Sequence, residues 1–450
     1  MKSFPSIVEP ARHTPVWHEC DVCVVGGSCT GVFAAVRAAR LGLRVALVER
    51  MGCFGGVATL SLVNVWHSQF DERFEKQIFA GLTLEAIERL RRRNAVSDTA
   101  RSPSWAWAFN PHELQIELDE LVVSSRVRPW LHTAFVAPYV QDGGRLRGII
   151  VENKSGRGVI LANQFIDASG DGDIAHRMGL PTTISATNQP STTCATFTGW
   201  DSIRHLDLGK LIREHGKEFG LPQGFVWAAP IPGSPVHMLA ATRIYDANCA
   251  DADALTRAEI EGRRQVRAVF DLVKKYAPQG DIVLQGLPAR LGIRETRHVK
   301  CRYQLTGDDV LTGRHFDDAI ANGSYRVDIH HTDKPGITLR YLSGVQEYNC
   351  PGCPGEITRW REETTENPTY YQIPLRSLLP AGASNLIVAG RMIDTDPIAH
   401  AAVRVMVNMN QTGEAAGVAA ALAVQSGKDL AQVEPAAIRA ELAQGGSIIL

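Results

Sequence analysis

The stretch that decides the fold is DVCVVGGSCTG at 21–31, continued by VFAAVRAARL at 32–41, Gly42, LRVALV at 43–48 and Glu49. Asp21 to Val25 is a short valine-rich run that meets glycines at once, the pattern of a strand buried on both faces of a parallel sheet. Val32 to Leu41 puts small and apolar residues at helical spacing, and Gly42 suits a left-handed C-terminal cap. Leu43 to Val48 reads as a second strand, and Glu49 closes it. The order is strand, glycine turn, helix, strand, acid.

Each part of that order has a mechanical job in holding a dinucleotide. Gly26 permits the tight turn, Gly31 lets the helix lie close to the strand, and the helix N-terminus offers free N–H groups to a pyrophosphate. Glu49, about twenty residues on, accepts from ribose hydroxyls. The middle position of the fingerprint, usually glycine, is Ser28, whose hydroxyl adds a donor along with its bulk. The predicted class is α/β, with a Rossmann-like dinucleotide unit at the start of the chain.

Bulk properties narrow the field. The chain has 450 residues, enough for two or three packed units. Apolar residues make up 44% and charged residues 21%, a globular balance. Lysine plus arginine number 47 against 48 acids, so a nucleic-acid surface or an electrostatic membrane anchor is not expected. The segment from Met1 to Glu19 lacks a signal-like apolar core, and no apolar run approaches a membrane span. Ala415 to Val424 reads as a buried helix. Nine scattered cysteines suit a reducing compartment, so a cytoplasmic protein is the expectation.

A second glycine cluster, Gly52 to Thr59, follows Glu49 and is superfluous in a simple NAD unit. Ala134 to Val140, Leu146 to Val151 and Gly158 to Leu161 read as a three-stranded meander, with Asp142-Gly143-Gly144 as one turn. Gln164 to Ala168 returns as a buried strand ahead of SGDGD at 169–173. Near the far end, Asn385 to Gly390 is another apolar strand, and a helical pattern runs from about Val403 to Val424, its N-terminus suited to an anionic group. These segments, with LGIRETR at 291–297, VDIH at 327–330, YQIPLRSLLP at 371–380 and NLIVAGRMI at 385–393, resemble the FAD-dependent oxidoreductase family of the glutathione-reductase-type superfamily.

The resemblance implies FAD enclosed by both ends of the chain. It places Gly26, Gly27, Ser28, Gly31, Glu49, Arg50, Gly55, Gly56, Asp173, Gly390, Arg391 and Arg404 along the cofactor, and the Val136 backbone at adenine. Ser28 in place of glycine and Ser169 in place of the commoner threonine depart from the pattern. Residues 1–180 and 381–450 are then the two parts of the FAD-binding domain, and 181–380 an inserted α+β substrate domain. Within the insert, Asp253 to Tyr276 reads as an amphipathic helix.

Three polar clusters are candidates for the chemistry. Arg294 in GIRETR, with Glu295 and Arg297, either orients an anionic or hydroxylated substrate or belongs to an internal Arg–Glu network. His330, beside His331, is either a proton acceptor next to the flavin or a structural histidine. His400, with Asp394 and Asp396 near it in sequence, is the favoured acid/base candidate. Cys350-Pro-Gly-Cys353 lacks the second pair or histidines of a zinc site, so no metal is expected and a turn carrying two thiols is the reading.

The expected activity is hydride transfer between a small-molecule substrate and non-covalent FAD. A flavin-binding protein without catalysis is the alternative. A pyridine-nucleotide-disulfide reductase fits less well, since only Cys53 stands near the second glycine cluster. The motifs name neither substrate, nor electron acceptor, nor oligomeric state.

Overall fold

The computed structural model describes residues 5–98, 107–141 and 144–450. Val22–Val25 is the central strand of a five-stranded parallel sheet. The spatial order is Leu386–Val388, Gln164–Asp167, Val22–Val25, Val45–Val48 and Arg128–Trp130. Every residue of the three inner strands is buried: VCVV and VALV are unbroken apolar runs, and QFID buries polar residues at both its ends. The chain steps outward from Val22–Val25 to Val45–Val48, then returns to lay Gln164–Asp167 on the opposite side. That reversal opens a crevice at the carboxyl ends of the strands. Val25 pairs with both Val48 and Asp167, so Gly26, Glu49 and Ala168 leave the sheet at one level.

The helix Cys29–Arg40 covers this sheet together with Met406–Ser426, from near the other end of the chain. Glycine permits their contact: a Cβ on Gly413 would lie 2.1 Å from the Thr30 carbonyl oxygen, and one on Gly417 2.2 Å from that of Ala34. Between the two helices, Arg37 donates from Nε to Glu414 Oε2 at 2.8 Å, and the Leu82 N–H donates to Glu414 Oε1 at 3.1 Å. The helix expected from about Val403 to Val424 is Met406–Ser426, and a separate short helix precedes it. Pro397–Val403 is capped by Asp396, and Met406–Ser426 follows an extended Val405 (φ −65°, ψ 145°).

Ala134–Val140, Leu146–Asn153 and Gly156–Leu161 pair antiparallel in chain order, and Val16–Glu19 adds parallel to the last. Trp17 anchors this extra strand by stacking on Trp130 at 6.1 Å and occupying the space a side chain on Gly158 would need. Asp142 and Gly143, in the expected turn, lie outside the described residues; Gly144 beside them has φ +81°. The segment from 60 to 133 adds the helices Leu82–Arg92 and Pro111–Ser124. The latter is capped by Asn110, with proline at its first turn.

Further on, Trp227–Pro230, His237–Ala240, Cys194–Thr198 and Val283–Gly286 form an antiparallel sheet covered by Ala252–Tyr276. Phe197, Leu239, Phe270 and Leu272 are among the residues of a core separate from the main one. The antiparallel sheet Val327–His330, Ile337–Arg340, Val345–Asn349 and Glu356–Arg359 behaves differently. Val327 there, and Ala319, Tyr371 and Ile373 of a neighbouring strand pair, join the main core. Among the described residues no helix is long and apolar enough to cross a membrane.

Candidate active site

The carboxyl edge of the parallel sheet opens into a cavity of about 670 Å³. At one end the wall is mostly backbone. Gly26 (φ +103°) turns so tightly that a Cβ would sit 2.2 Å from the Ala168 carbonyl oxygen, and one on Gly31 would sit 1.8 Å from that of Gly26. Glu49, buried at the end of its strand, accepts from the Gly27 N–H at 2.6 Å and the Met51 N–H at 2.8 Å.

Ser28 caps the helix, accepting from the Gly31 N–H at 3.5 Å. Room for its side chain comes from the second glycine cluster. Gly55 donates to the Gly27 carbonyl at 2.8 Å, and a Cβ on Gly56 would lie 2.7 Å from Ser28 Cβ. The bulk added at the fingerprint's middle position is thus met by a glycine on the neighbouring loop.

Gly390 (φ +103°) turns the last strand into Arg391, which donates to Asp171 Oδ1 at 2.6 Å. Arg290 reaches Asp171 Oδ2 at 3.4 Å. Burial alone would raise the Asp171 carboxyl; Arg391 and Arg290 hold it below its ordinary range instead. Met406, Met409 and Asn410 present the start of the long helix to the cavity. Its N-cap, Val405, makes no side-chain cap bond, and Asn410 Oδ1 is buried without a partner. A glycine-walled cleft with an acid at one end, cations along it and an uncapped helix N-terminus suits an elongated anion with hydroxyls at one extremity.

At the other end the wall is made of charged side chains. Asp328 Oδ2 accepts from Tyr325 Oη at 3.0 Å, Arg404 Nη2 at 3.1 Å and His330 Nε2 at 3.3 Å. Asp328 Oδ1 and His330 Nδ1 are buried without partners. Burial, then Arg294, push His330 down to about 3, so the ring is neutral at pH 7. Arg294 donates to the Pro190 carbonyl. Burial, then Arg243 and Arg404, lower it to about 9. His67 packs against Tyr325 with ring centres 4.2 Å apart and is lowered by burial to about 3.

Of the residues singled out from the sequence, Gly26, Ser28, Glu49, Gly55, Gly56, Gly390, Arg391, Arg404, Arg294 and His330 all line this one cavity. Gly27 and Gly31 stand directly behind it in the turn. Arg50 is exposed, and Asp173 begins a short helix where Arg297 meets it at 3.3 Å. Ser169 and Gly170 line the wall nearby. The Val136 carbonyl accepts from Arg177, away from the cavity.

His400 lies outside the cavity lining. Its Nε2 faces the Arg294 carbonyl at 3.2 Å, and its ring meets His298 edge-on at 4.7 Å. Asp394 and Asp396 do not hold it: Asp394 accepts from Cys301 N–H at 2.9 Å, and Asp396 caps its helix. Glu295, His298 and His400 place ligand-type atoms within 4.8 Å of one another. Glu295 meets His298 Nε2 at 3.2 Å and the Gln189 N–H at 3.0 Å. In GIRETR, Arg294 is on the cavity wall, whereas Glu295 meets His298 and Arg297 meets Asp173. Cys350 and Cys353 are free thiols in a turn closed by Cys353 N–H to the Cys350 carbonyl at 3.0 Å.

The sequence profile of the family described as FAD dependent oxidoreductase matches residues 21–442. The chain belongs to that family. By that family's description the cofactor is FAD and the chemistry is oxidoreduction. The chain is 34% identical to a dihydrolipoyl dehydrogenase of Trypanosoma brucei brucei over 89 residues, which are 17% of this chain and 19% of that one. The oxidoreductase thus spans about a fifth of the length of that curated relative.

Among solved structures, a geranylgeranyl bacteriochlorophyll reductase-like protein from Thermoplasma acidophilum is 12% identical, with 95% of this chain and 83% of that chain covered and a TM-score of 0.47. A flavoprotein/dehydrogenase from Cytophaga hutchinsonii is 13% identical, with 92% and 80% covered and a TM-score of 0.45.

Asp328, Tyr325, Arg243, Asp171 and His67 escaped the sequence reading. Asp328 sits inside VDIH, two residues before His330. On a strand that spacing puts both side chains on one face, the signal that would have paired them.

Proposed function

We propose that the oxidoreductase transfers hydride between a small organic substrate and non-covalent FAD, with the substrate at the Arg294–Asp328–His330 end of the cavity. The His330 ring carries this reading. Its Nε2–H points to the Asp328 carboxylate at 3.3 Å, while Nδ1 is buried at the cavity wall without a partner. Asp328 fixes the tautomer that leaves a lone pair on Nδ1. A substrate hydroxyl or amine placed there loses its proton to Nδ1 as hydride leaves the adjoining carbon. FAD supplies the two-electron acceptor. Arg294 orients the substrate, and His400 positions Arg294 through its carbonyl without touching the reacting atoms.

In the same reading Glu49 takes the ribose hydroxyls. Gly26, Gly27, Ser28 and Gly31 take the pyrophosphate with the first helix, and Gly55, Gly56, Gly390 and Arg391 flank the chain between pyrophosphate and ring. Arg404 and the Met406 helix start meet the ring's electron-rich edge. Arg50, Asp173 and the Val136 backbone remain assigned to the adenosine side by family resemblance. Residues 1–180 and 381–450 enclose the cofactor, 181–380 supply the substrate side, and the whole is of glutathione-reductase type. The paired wall residues from both ends of the chain support this division.

The test is a visible spectrum of purified protein before and after acid precipitation, followed by anaerobic bleaching with candidate substrates. Yellow protein that releases all its FAD into the supernatant is expected. Flavin retained in the pellet overturns non-covalent binding. His330→Gln with an unchanged bleaching rate removes His330 from the mechanism.

A further inference from the structure

We propose that the substrate this cavity selects is a small carboxylate with an apolar body, its head group held by Arg294. The proposal rests on the reading above, which places the substrate at this end. Four guanidiniums, those of Arg243, Arg294, Arg326 and Arg404, lie within electrostatic reach of one carboxylate, Asp328. Arg404 uses that carboxylate directly at 3.1 Å. Among the described residues neither Arg243 nor Arg294 forms an ion pair. Arg243 donates to the carbonyls of Thr242 at 2.9 Å and Phe225 at 2.7 Å, and Arg294 to that of Pro190. Carbonyl dipoles orient a guanidinium but do not neutralise it.

Uncompensated positive charge inside a protein is strongly unfavourable, and an anion admitted to the cavity relieves it. Of Arg243 and Arg294 only Arg294 lines the cavity; Arg326, also on the wall, lies over the rings of Tyr325 and Tyr341, 5.0 and 5.8 Å from their centres, which leaves Arg294 to take the anion. A planar fork matches a carboxylate with two parallel hydrogen bonds.

Beyond the charges the wall turns apolar. Cys194, Phe225, Trp227, Ala228, Ile337 and Leu339 line the same space. A bare inorganic anion would leave that surface wet, whereas a hydrocarbon body behind the carboxylate covers it. His330 Nδ1 then lies close to the carbon bearing the head group, so a hydroxyl or amine next to the carboxylate is the group whose proton it can reach.

Binding is measured by calorimetry and by flavin difference spectra on the purified holoprotein. The probes are acetate, butanoate and phenylacetate, their matching amides, and phenyl phosphate. The carboxylates are expected to bind at least tenfold tighter than their amides, with affinity rising from acetate to phenylacetate. Arg294→Gln should weaken phenylacetate by thirtyfold or more. Equal affinity for amide and carboxylate, tighter binding of phenyl phosphate, or no calorimetric binding of any carboxylate overturns the proposal.

Should Arg294→Gln fail to fold, the wild-type comparison of acid with amide decides alone. Protein that takes up no FAD yet prefers carboxylates by calorimetry upholds this proposal while sinking the cofactor reading. A yellow protein indifferent to charge does the reverse.

Discussion

The two ends of the cavity solve the problem of holding an anion in opposite ways. At the Glu49 end, backbone does the work: glycine turns bring N–H groups and a helix start to the wall, and the one acid there has both oxygens engaged by Gly27 and Met51. At the Asp328 end, side chains from distant segments converge, and several polar atoms, His330 Nδ1 and Asp328 Oδ1 among them, have no partner. Unpartnered atoms occur at the cofactor end too, at Asn410 Oδ1 and Arg391 Nε, so what separates the two ends is backbone against side chain.

Substitutions should therefore separate folding from turnover according to which end they touch. The largest effect is expected from Gly31→Val, whose Cβ would stand 1.8 Å from the Gly26 carbonyl oxygen. It should cost more than about 4 kcal/mol and yield no folded flavoprotein by thermal melt or absorbance. Next, Arg37→Met leaves the buried Glu414 carboxylate without its guanidinium. A loss of about 3–5 kcal/mol in chemical denaturation is expected, with the flavin reduction rate of the folded fraction preserved. His330→Gln should invert that pattern, slowing anaerobic flavin reduction about 100-fold while the melting temperature barely moves. If His330→Gln destabilises the protein and leaves the reduction rate of the folded fraction alone, the contrast between the ends is lost.

Acid should find the substrate end first. Burial lowers His67 and His330 there, and His400 behind them, to about 3 from an ordinary 6.5. The folded protein keeps these rings neutral, while the unfolded chain takes up protons below pH 6.5. Their stabilising contribution is complete above pH 6.5 and is lost as pH falls toward 3. Each ring loses up to about 1.4 kcal/mol per pH unit, to be read from denaturation midpoints between pH 7 and 5. Smallest of all, replacing Cys350 and Cys353 by serine should change stability by less than about 0.5 kcal/mol and leave the reduction rate unchanged.

Legibility in the sequence followed the same divide. The turn at Gly26 to Gly31 and the acid at Glu49 interact over about twenty residues, so the pattern that makes them was continuous in the chain. The helix start at Cys29 came earlier than periodicity suggested, because Ser28 supplies a cap where the helical pattern had not yet begun.

Asp328 and Arg404 are 76 residues apart and Arg243 lies further still, so only the folded chain could assemble them. His400 illustrates the hazard: it sits next to two aspartates in sequence, yet its ring neighbour is His298 and its hydrogen-bond partner the carbonyl of Arg294. The strand Val16–Glu19 went unseen because Trp17 packs against Trp130 rather than following an apolar alternation.

The contact of Gly413 and Gly417 with the first helix also sets a schedule. The wall at Gly26 leaves the ribosome well before the strand Leu386–Val388 and the long helix that complete it, which emerge some 360 residues later. At about 5–20 residues per second, the half-built sheet waits roughly 20–70 s with its flank bare. During synthesis the early half must be shielded by the middle segments or by a chaperone, and cofactor capture is postponed until that later strand and helix have been made.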